Sequence, residues 1–521
     1  MIESWAPDDA RQLHTIARNV TTRYLAIATE MALGLLMLPF NLRHLGAEAY
    51  GLWALTASVT IHFSVLDMGF SGALVKFMAQ YRAHRDTRAL NEIASTLFYL
   101  FAAVGVIAYA VAVALAFNLD HIFKITPAQA QTGQWILIII GLNVALNFPF
   151  SVFGGVISGF QRYDANNLVA IVSSIMVAAA NVAVLDAGYG LIPLVLATTA
   201  VRIVTYFVYR LNAYRIYPPL AIRTSLFRRD RLREVAGFSV YTSVIDWANK
   251  LNYQLDGVVI GVFLGSAPVA VWAVADRIIS GTQRLTNQLN GVLFPVVVDS
   301  DTTRRTERLQ KVLLEGTRLS LAMVVPIAVA LILLADPLVR AWVGPKMIAS
   351  APVIQILAVA VALRVGNATG TTILKGAGKV RYLAIVNIIT GLVNLALSAI
   401  LITPLGLNGV ALGTLMPIAV STIFVLFPAA CARVGLSVAS AIRHAVWPAM
   451  WPAAVVAGGL AVVRRFSIGG TLLAVLMEAA LAAAVYLALF FMIAVGRRDR
   501  AQYAAKVMEL IGRRGRLAPA A

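Results

Sequence analysis

The sequence predicts an all-α polytopic membrane protein of about 14 transmembrane helices. Two pseudo-symmetric six-helix lobes, related as parallel repeats, are expected to surround a central cavity, with two further helices at the C-terminal end. Three observations predict this. Apolar runs of about 20 residues, the length that crosses a hydrocarbon core as a helix, recur along the whole chain. The basic residues concentrate in alternate loops. Three stretches of the first half return, in order, in the second.

Composition sets the class. Of 521 residues, 60% are hydrophobic and 13% charged, with a mean hydropathy of +0.80. A soluble domain carries roughly 25% charged residues. Alternating strands of the barrel type are absent from the pattern. Cys431 is the single cysteine, so no intrachain disulfide is expected. The first 17 residues are polar and carry Asp8, Asp9 and Arg11 without an apolar signal core. The N-terminus is therefore expected in the cytoplasm. No polar segment is long enough to bury a core of its own. A nucleic-acid partner, which would need a folded basic domain, is not expected despite the net charge of +19.

In chain order, the expected spans are 20–42, 52–78, 92–117, 133–158, 166–185 and 190–209, then 236–262, 268–297, 314–335, 350–374, 383–402 and 408–430, and finally 446–463 and 470–495. This gives a cytoplasmic segment 1–19, an N-lobe 20–210, a basic connector 211–235, a C-lobe 236–430, two extra spans within 446–495 and a basic tail 496–521. With both termini inside, the cytoplasmic segments hold 29 Lys and Arg residues and the outer loops 6. That asymmetry is the positive-inside pattern, and it also accounts for the net charge. The basic loops are expected to touch anionic headgroups.

The repeat is legible in three places. Leu45-Gly46 through Trp53-Ala54-Leu55 matches Leu264-Gly265 through Trp272-Ala273-Val274, 219 residues on. Ser158-Gly159-Phe160-Gln161-Arg162 matches Lys375-Gly376-Ala377-Gly378-Lys379, and Gly190-Leu191 matches Gly406-Leu407. An even number of spans per copy makes the repeats parallel, related by an axis along the membrane normal.

These residues carry a resemblance. Leu45-Gly46, Tyr50-Gly51-Leu52-Trp53 and Leu66-Asp67-Met68-Gly69, with Gly159-Phe160-Gln161-Arg162-Tyr163-Asp164, resemble bacterial polysaccharide flippases, the O-antigen and exopolysaccharide branch of the multidrug/oligosaccharidyl-lipid/polysaccharide exporter superfamily. The resemblance covers nearly the whole chain. It implies flipping of an undecaprenyl-diphosphate-linked oligosaccharide from the inner to the outer leaflet of the cytoplasmic membrane, without enzymatic chemistry. It implies membrane lipids and polysaccharide polymerase or assembly proteins as partners, and no cofactor.

The site rests on charge inside apolar spans. Val235–Pro295 alone holds Asp246, Lys250, Asp256, Asp276, Arg277 and Arg284, with Asn287 and Gln288 as further polar lining. Charges at bilayer depth face a bundle interior or water. Arg23, Ile27, Glu30 and Gly34 share one helical face of the first span, and Thr60, Ser64, Asp67 and Ser71 share one of the second. Arg23, Lys250, Arg277 and Arg284 are the diphosphate-binding candidates, because guanidinium donates paired hydrogen bonds to phosphate. Glu30, Asp67, Asp246 and Asp256 are candidates for coupling to an H+ or Na+ gradient. No metal-ligand spacing appears. Internal neutralisation, as between Asp246 and Lys250, is the alternative reading of these charges. A cation-coupled multidrug exporter of the same superfamily is the alternative function, and a membrane polymerase or ligase a third. Lys76, Arg202, Arg318 and Arg364 are read as snorkelling cations, and His62 as a packed or hydrogen-bonded histidine.

Overall fold

The computed structural model describes residues 9–236, 255–286, 288–303, 305–466 and 470–494. Among these residues every regular element is a helix, and 11 helices are long and apolar enough to cross a membrane. The first, α1 (Asp9–Ile61), runs through the first expected span and into the second, turning at Gly46 with φ 76° and ψ 171°. An L side chain is strained there, so the turn needs glycine. The expected span 52–78 is not one helix, which corrects the sequence reading. A 3-10 turn, His62–Asp67, and left-handed Met68 and Gly69 interrupt it before α2 (Phe70–Ala83).

Next come α3 (Thr87–Ala116), the single turn α4 (Leu119–Ile122), α5 (Pro127–Gly159), α6 (Tyr163–Asp186) and α7 (Leu191–Ile216). Asp86 caps α3 by accepting from Ala89 N at 2.8 Å. Thr126 and Gln129 form a reciprocal capping box at the start of α5. Beyond residues 237–254 the chain continues as α8 (Asp256–Phe263), α9 (Ser266–Thr286), α10 (Gln288–Thr302) and α11 (Thr306–Trp342). Then follow α12 (Ser350–Gly366), α13 (Ala368–Gly376), α14 (Val380–Leu405), α15 (Leu407–Val420), α16 (Phe427–Arg433), α17 (Val438–Ala441), α18 (Trp447–Phe466) and α19 (Leu472–Leu489).

The repeat is visible in backbone detail. Gly265, the counterpart of Gly46, is also left-handed, with φ 91°. The loop between α2 and α3 recurs between α10 and α11: Ala83 and Thr302 end the first helix, and Thr87 and Thr306 begin the second. Both pairs are 219 residues apart, the offset of the first sequence match.

Packing divides the chain into two units. One runs through Arg277 and adds Asn387–Val410; the other takes Ile278–Val386 and Ala411 onward. The first unit's core is aromatic, with Phe70, Phe77, Phe101, Phe148 and Phe153 interleaved with Leu74, Leu90 and Leu97 from α2, α3 and α5. The second unit's core is aliphatic, built on Val297, Leu309, Leu313, Ile373 and Leu374 with Phe427 and Cys431. Between helices that cross lipid, such cores hold by close van der Waals packing rather than by withdrawal from water.

The basic connector is tied down along its length. Asn91 Nδ2 donates to Pro219 O at 2.9 Å and its Oδ1 accepts from Ala221 N at 3.0 Å. Ser95 Oγ accepts from Arg223 N at 3.2 Å, and Thr96 Oγ1 from Arg228 N at 3.0 Å. One polar ledge at the start of α3 thus satisfies backbone groups that a loop would otherwise leave to water. Glu92, on the same ledge, pairs with Arg88, Arg228 and Arg231. Tyr81 of α2 donates to Glu234 at 2.8 Å and accepts from Arg231 Nη1 at 2.7 Å. Burial and the Glu234 bond push the Tyr81 hydroxyl up to about 12.

Candidate functional site

The sequence-predicted residues divide by where they lie. Asp246, Lys250 and Asn287 fall outside the described residues, as does the side chain of Gln288 at the first position of α10. Arg23 and Glu30 lie on α1 and are exposed, and Arg277 and Arg284 are exposed on α9. Asp256 is buried, 8% exposed, at the first position of α8.

One contact joins two of the predicted polar faces. Arg277 Nε donates to the Gly34 carbonyl of α1 at 3.3 Å. Contacts along the two helices give their direction. α9 begins against Gly51, just past the Gly46 turn, where a Cβ would meet Ser266 O, and its Arg277 reaches Gly34 on the segment before the turn, so α9 runs antiparallel to that first segment of α1. Nearby, α8 lies on the second half of α1, with Gly257 at Ser58 and Gly261 at Leu55. A Gly-x-x-x-Gly pair that lets helix backbones approach this closely is a membrane-helix packing device.

Spacing sets what these cations can reach. Arg23 lies three turns from Gly34, about 16 Å along the α1 axis at 1.5 Å per residue. Arg284 follows Arg277 by two turns on the same face of α9. Asp67 has a local role: it accepts from Ser71 Oγ at 2.6 Å and Ser71 N at 3.3 Å, holding the first turn of α2. Among the described residues, no group of three or more His, Cys, Asp and Glu side chains converges as a metal site would require.

Two cations sit otherwise than the sequence reading had them, and one histidine sits as read. Arg318 is buried, 9% exposed, rather than reaching an interface, and Arg364 Nη1 donates to Gln283 Oε1 at 3.0 Å. His62 is hydrogen-bonded, its Nδ1 lying 2.7 Å from Ser58 O. Sequence reasoning passed over Glu92, although an acid opening an apolar span in a chain with seven arginines between 210 and 233 is a charge-complementarity signal. The loop motif Gln161–Asp164 has a docking role. Asn19 Nδ2 donates to Gln161 O at 2.9 Å, Asn19 Oδ1 accepts from Asp164 N at 2.9 Å, and Arg18 pairs with Asp164 at 3.2 Å.

Among the described residues, eleven helices long and apolar enough to cross a membrane, with cations exposed on α1 and α9, make this a polytopic helical fold. The chain belongs to the polysaccharide biosynthesis protein family, whose profile matches residues 42–352. It is 20% identical over 417 residues to the probable flippase AglR of Haloferax volcanii, covering 78% of this chain and 82% of that one. It is 23% identical over 371 residues to the succinoglycan biosynthesis transport protein ExoT of Rhizobium meliloti, covering 70% of each. Among solved structures, the lipid II flippase MurJ in an inward closed conformation superimposes with a TM-score of 0.71 at 13% identity, over 91% of this chain and 98% of that one. An inward-facing multidrug MATE transporter gives 0.69 at 17% identity, over 78% and 94%. At these identities the structural likeness establishes the fold.

Proposed function

We propose that this chain is a flippase for a lipid-linked oligosaccharide, carried on undecaprenyl diphosphate, serving cell-surface polysaccharide assembly. It moves its substrate from the inner to the outer leaflet of the bacterial cytoplasmic membrane by alternating access. Family membership supports the pathway, and the names of AglR and ExoT support the transport class. The observation that carries the diphosphate reading is Arg277, a guanidinium exposed on a helix of a membrane-spanning fold and held against the backbone of α1. A fixed guanidinium recognises paired phosphate oxygens, and it disfavours the organic cations of a drug exporter.

Arg23 and Arg284, both exposed, are the further candidate contacts for the headgroup. Lys250 stays a candidate on sequence grounds. Outward movement of an anion is downhill by about 2.3 kcal/mol per charge per 100 mV with the inside negative. Resetting the empty cationic site then calls for H+ or Na+ entry. Of the four candidate acids, exposed Glu30 is the most accessible; Asp67 holds a helix start, Asp256 is buried, and Asp246 stays a candidate on sequence grounds.

The test is genetic and chemical. Arg277→Ala combined with Arg284→Ala is expected to abolish surface polysaccharide while the protein remains in the membrane fraction. Normal polysaccharide in that double variant would overturn the diphosphate reading.

A further inference from the structure

The turn of α1 around Gly34 is built to receive a side chain from another helix. Pro39 lies inside α1, one turn beyond Leu35, and has no N–H to donate. Gly34 adds a bare patch beside it. An added Cβ at Gly34 would lie 2.6 Å from Arg277 Cζ, 2.7 Å from Nη2 and 2.9 Å from Nε. Carbon cannot approach so closely, so any side chain at position 34 displaces the guanidinium. The contact uses one edge of the fork: Nε donates to the Gly34 carbonyl, and Nη2 shares that edge. The end edge, Nη1 with the outer N–H of Nη2, is left outside the contact.

We propose that Gly34 is a positioning residue for Arg277. Its carbonyl and its missing side chain hold the guanidinium by the side edge, so that the end edge offers two parallel N–H donors to an oxygen pair of a diphosphate. This deepens the diphosphate reading of Arg277 and rests on it. Lysine cannot do the same, because an ammonium has no second edge with which to hold Gly34 while gripping two oxygens.

The experiment uses the full chain in lipid nanodiscs, titrated with undecaprenyl diphosphate. Arg277→Ala is expected to weaken binding by about ten- to a hundredfold, the scale of a charge-assisted hydrogen-bonded contact. Gly34→Ala is expected to weaken it by about tenfold, and to cause no further loss when added to Arg277→Ala. A glycine needed only for helix packing would give losses that add. A readout without ligand follows the docking itself: in protein labelled with 15N-arginine, the Arg277 Nε–H should exchange slowly in the wild type and faster in Gly34→Ala. Should Gly34→Ala fail to fold, Arg277→Lys leaves the α1 backbone untouched and is expected to lose as much affinity as Arg277→Ala. Wild-type affinity in Gly34→Ala, additive losses, or a rapidly exchanging Nε–H in the wild type each overturn the positioning role. Wild-type affinity in Arg277→Ala overturns the diphosphate reading as well. A loss in Arg277→Ala with none in Gly34→Ala overturns this proposal alone.

Discussion

The loop between α2 and α3 and the loop between α10 and α11 occupy the same place in the two copies of the repeat, and they are closed differently. In the first, Glu92 lies against the guanidinium groups of Arg88, Arg228 and Arg231 with its side chain only 9% exposed. In the second, the residue 219 positions on is Lys311, exposed, whose partner is the half-buried Glu315 at 3.6 Å. Of the other pairs around the second loop, Arg308 with Asp299 is a surface contact and Arg433 with Asp301 a partly buried one. The backbone of the repeat is kept while the charge on it is reversed. The connector explains the difference. It runs onto the first loop and carries arginines, so an acid there is buried and paired. Surface pairs contribute little, whereas a buried pair is costly to break from one side.

The largest expected effect breaks that contrast. Glu92→Gln removes the charge that three arginines share and should destabilise the protein by about 2 kcal/mol, the scale of hydrogen bonds to a charged group. Lys311→Ala at the matching place should cost under about 0.5 kcal/mol. Thermal unfolding in detergent reads both, and equal effects would remove the distinction between the loops. A second pair of variants tests what the copies share. A Cβ at Gly159 would lie 2.4 Å from Met78 Cβ, and one at Gly376 2.6 Å from Val297 Cγ1. Gly159→Ala and Gly376→Ala should therefore cost similar amounts, about 1–3 kcal/mol each by overpacking. A large difference between them would show that the helix contact is not equivalent in the two copies.

The smallest effect sharpens the clamp. Tyr81→Phe removes the hydroxyl that bonds Glu234 and Arg231 and should cost about 1 kcal/mol at neutral pH. Burial and the Glu234 bond raise that hydroxyl from 10.0 to about 12, so the folded state favours its neutral form. Its stabilising contribution is complete below pH 10 and is lost as pH rises through 12. Unfolding measured across that interval should fall more steeply in the wild type than in Tyr81→Phe. Parallel profiles would show that Tyr81 titrates alike in the folded and unfolded chains.

Much of the architecture was legible because it follows from local chemistry. Run length marks the spans, and the Gly46 and Gly265 turns could be matched because a left-handed position demands a particular residue. The break at Met68 and Gly69 was not legible, since the surrounding apolar run continues across it. Of the candidate site, the polar face of α1 with Arg23, Glu30 and Gly34 came from helical spacing. That Gly34 itself receives Arg277 did not, because the two residues are 243 positions apart and only packing sets which faces meet.

The sequence by itself determined the class of the protein, the family, the repeat and the identity of the cations placed in apolar helices. These depend on hydrophobicity, periodicity and residue type, which are properties of the chain. The tertiary structure decided which charges are structural and which remain presented: Glu92 buried under three arginines, Asp67 used at a helix start, and Arg277 held by one edge on α1 with its other edge outside the contact. A charge acts through its distance and its burial, and both are set by helices remote in sequence.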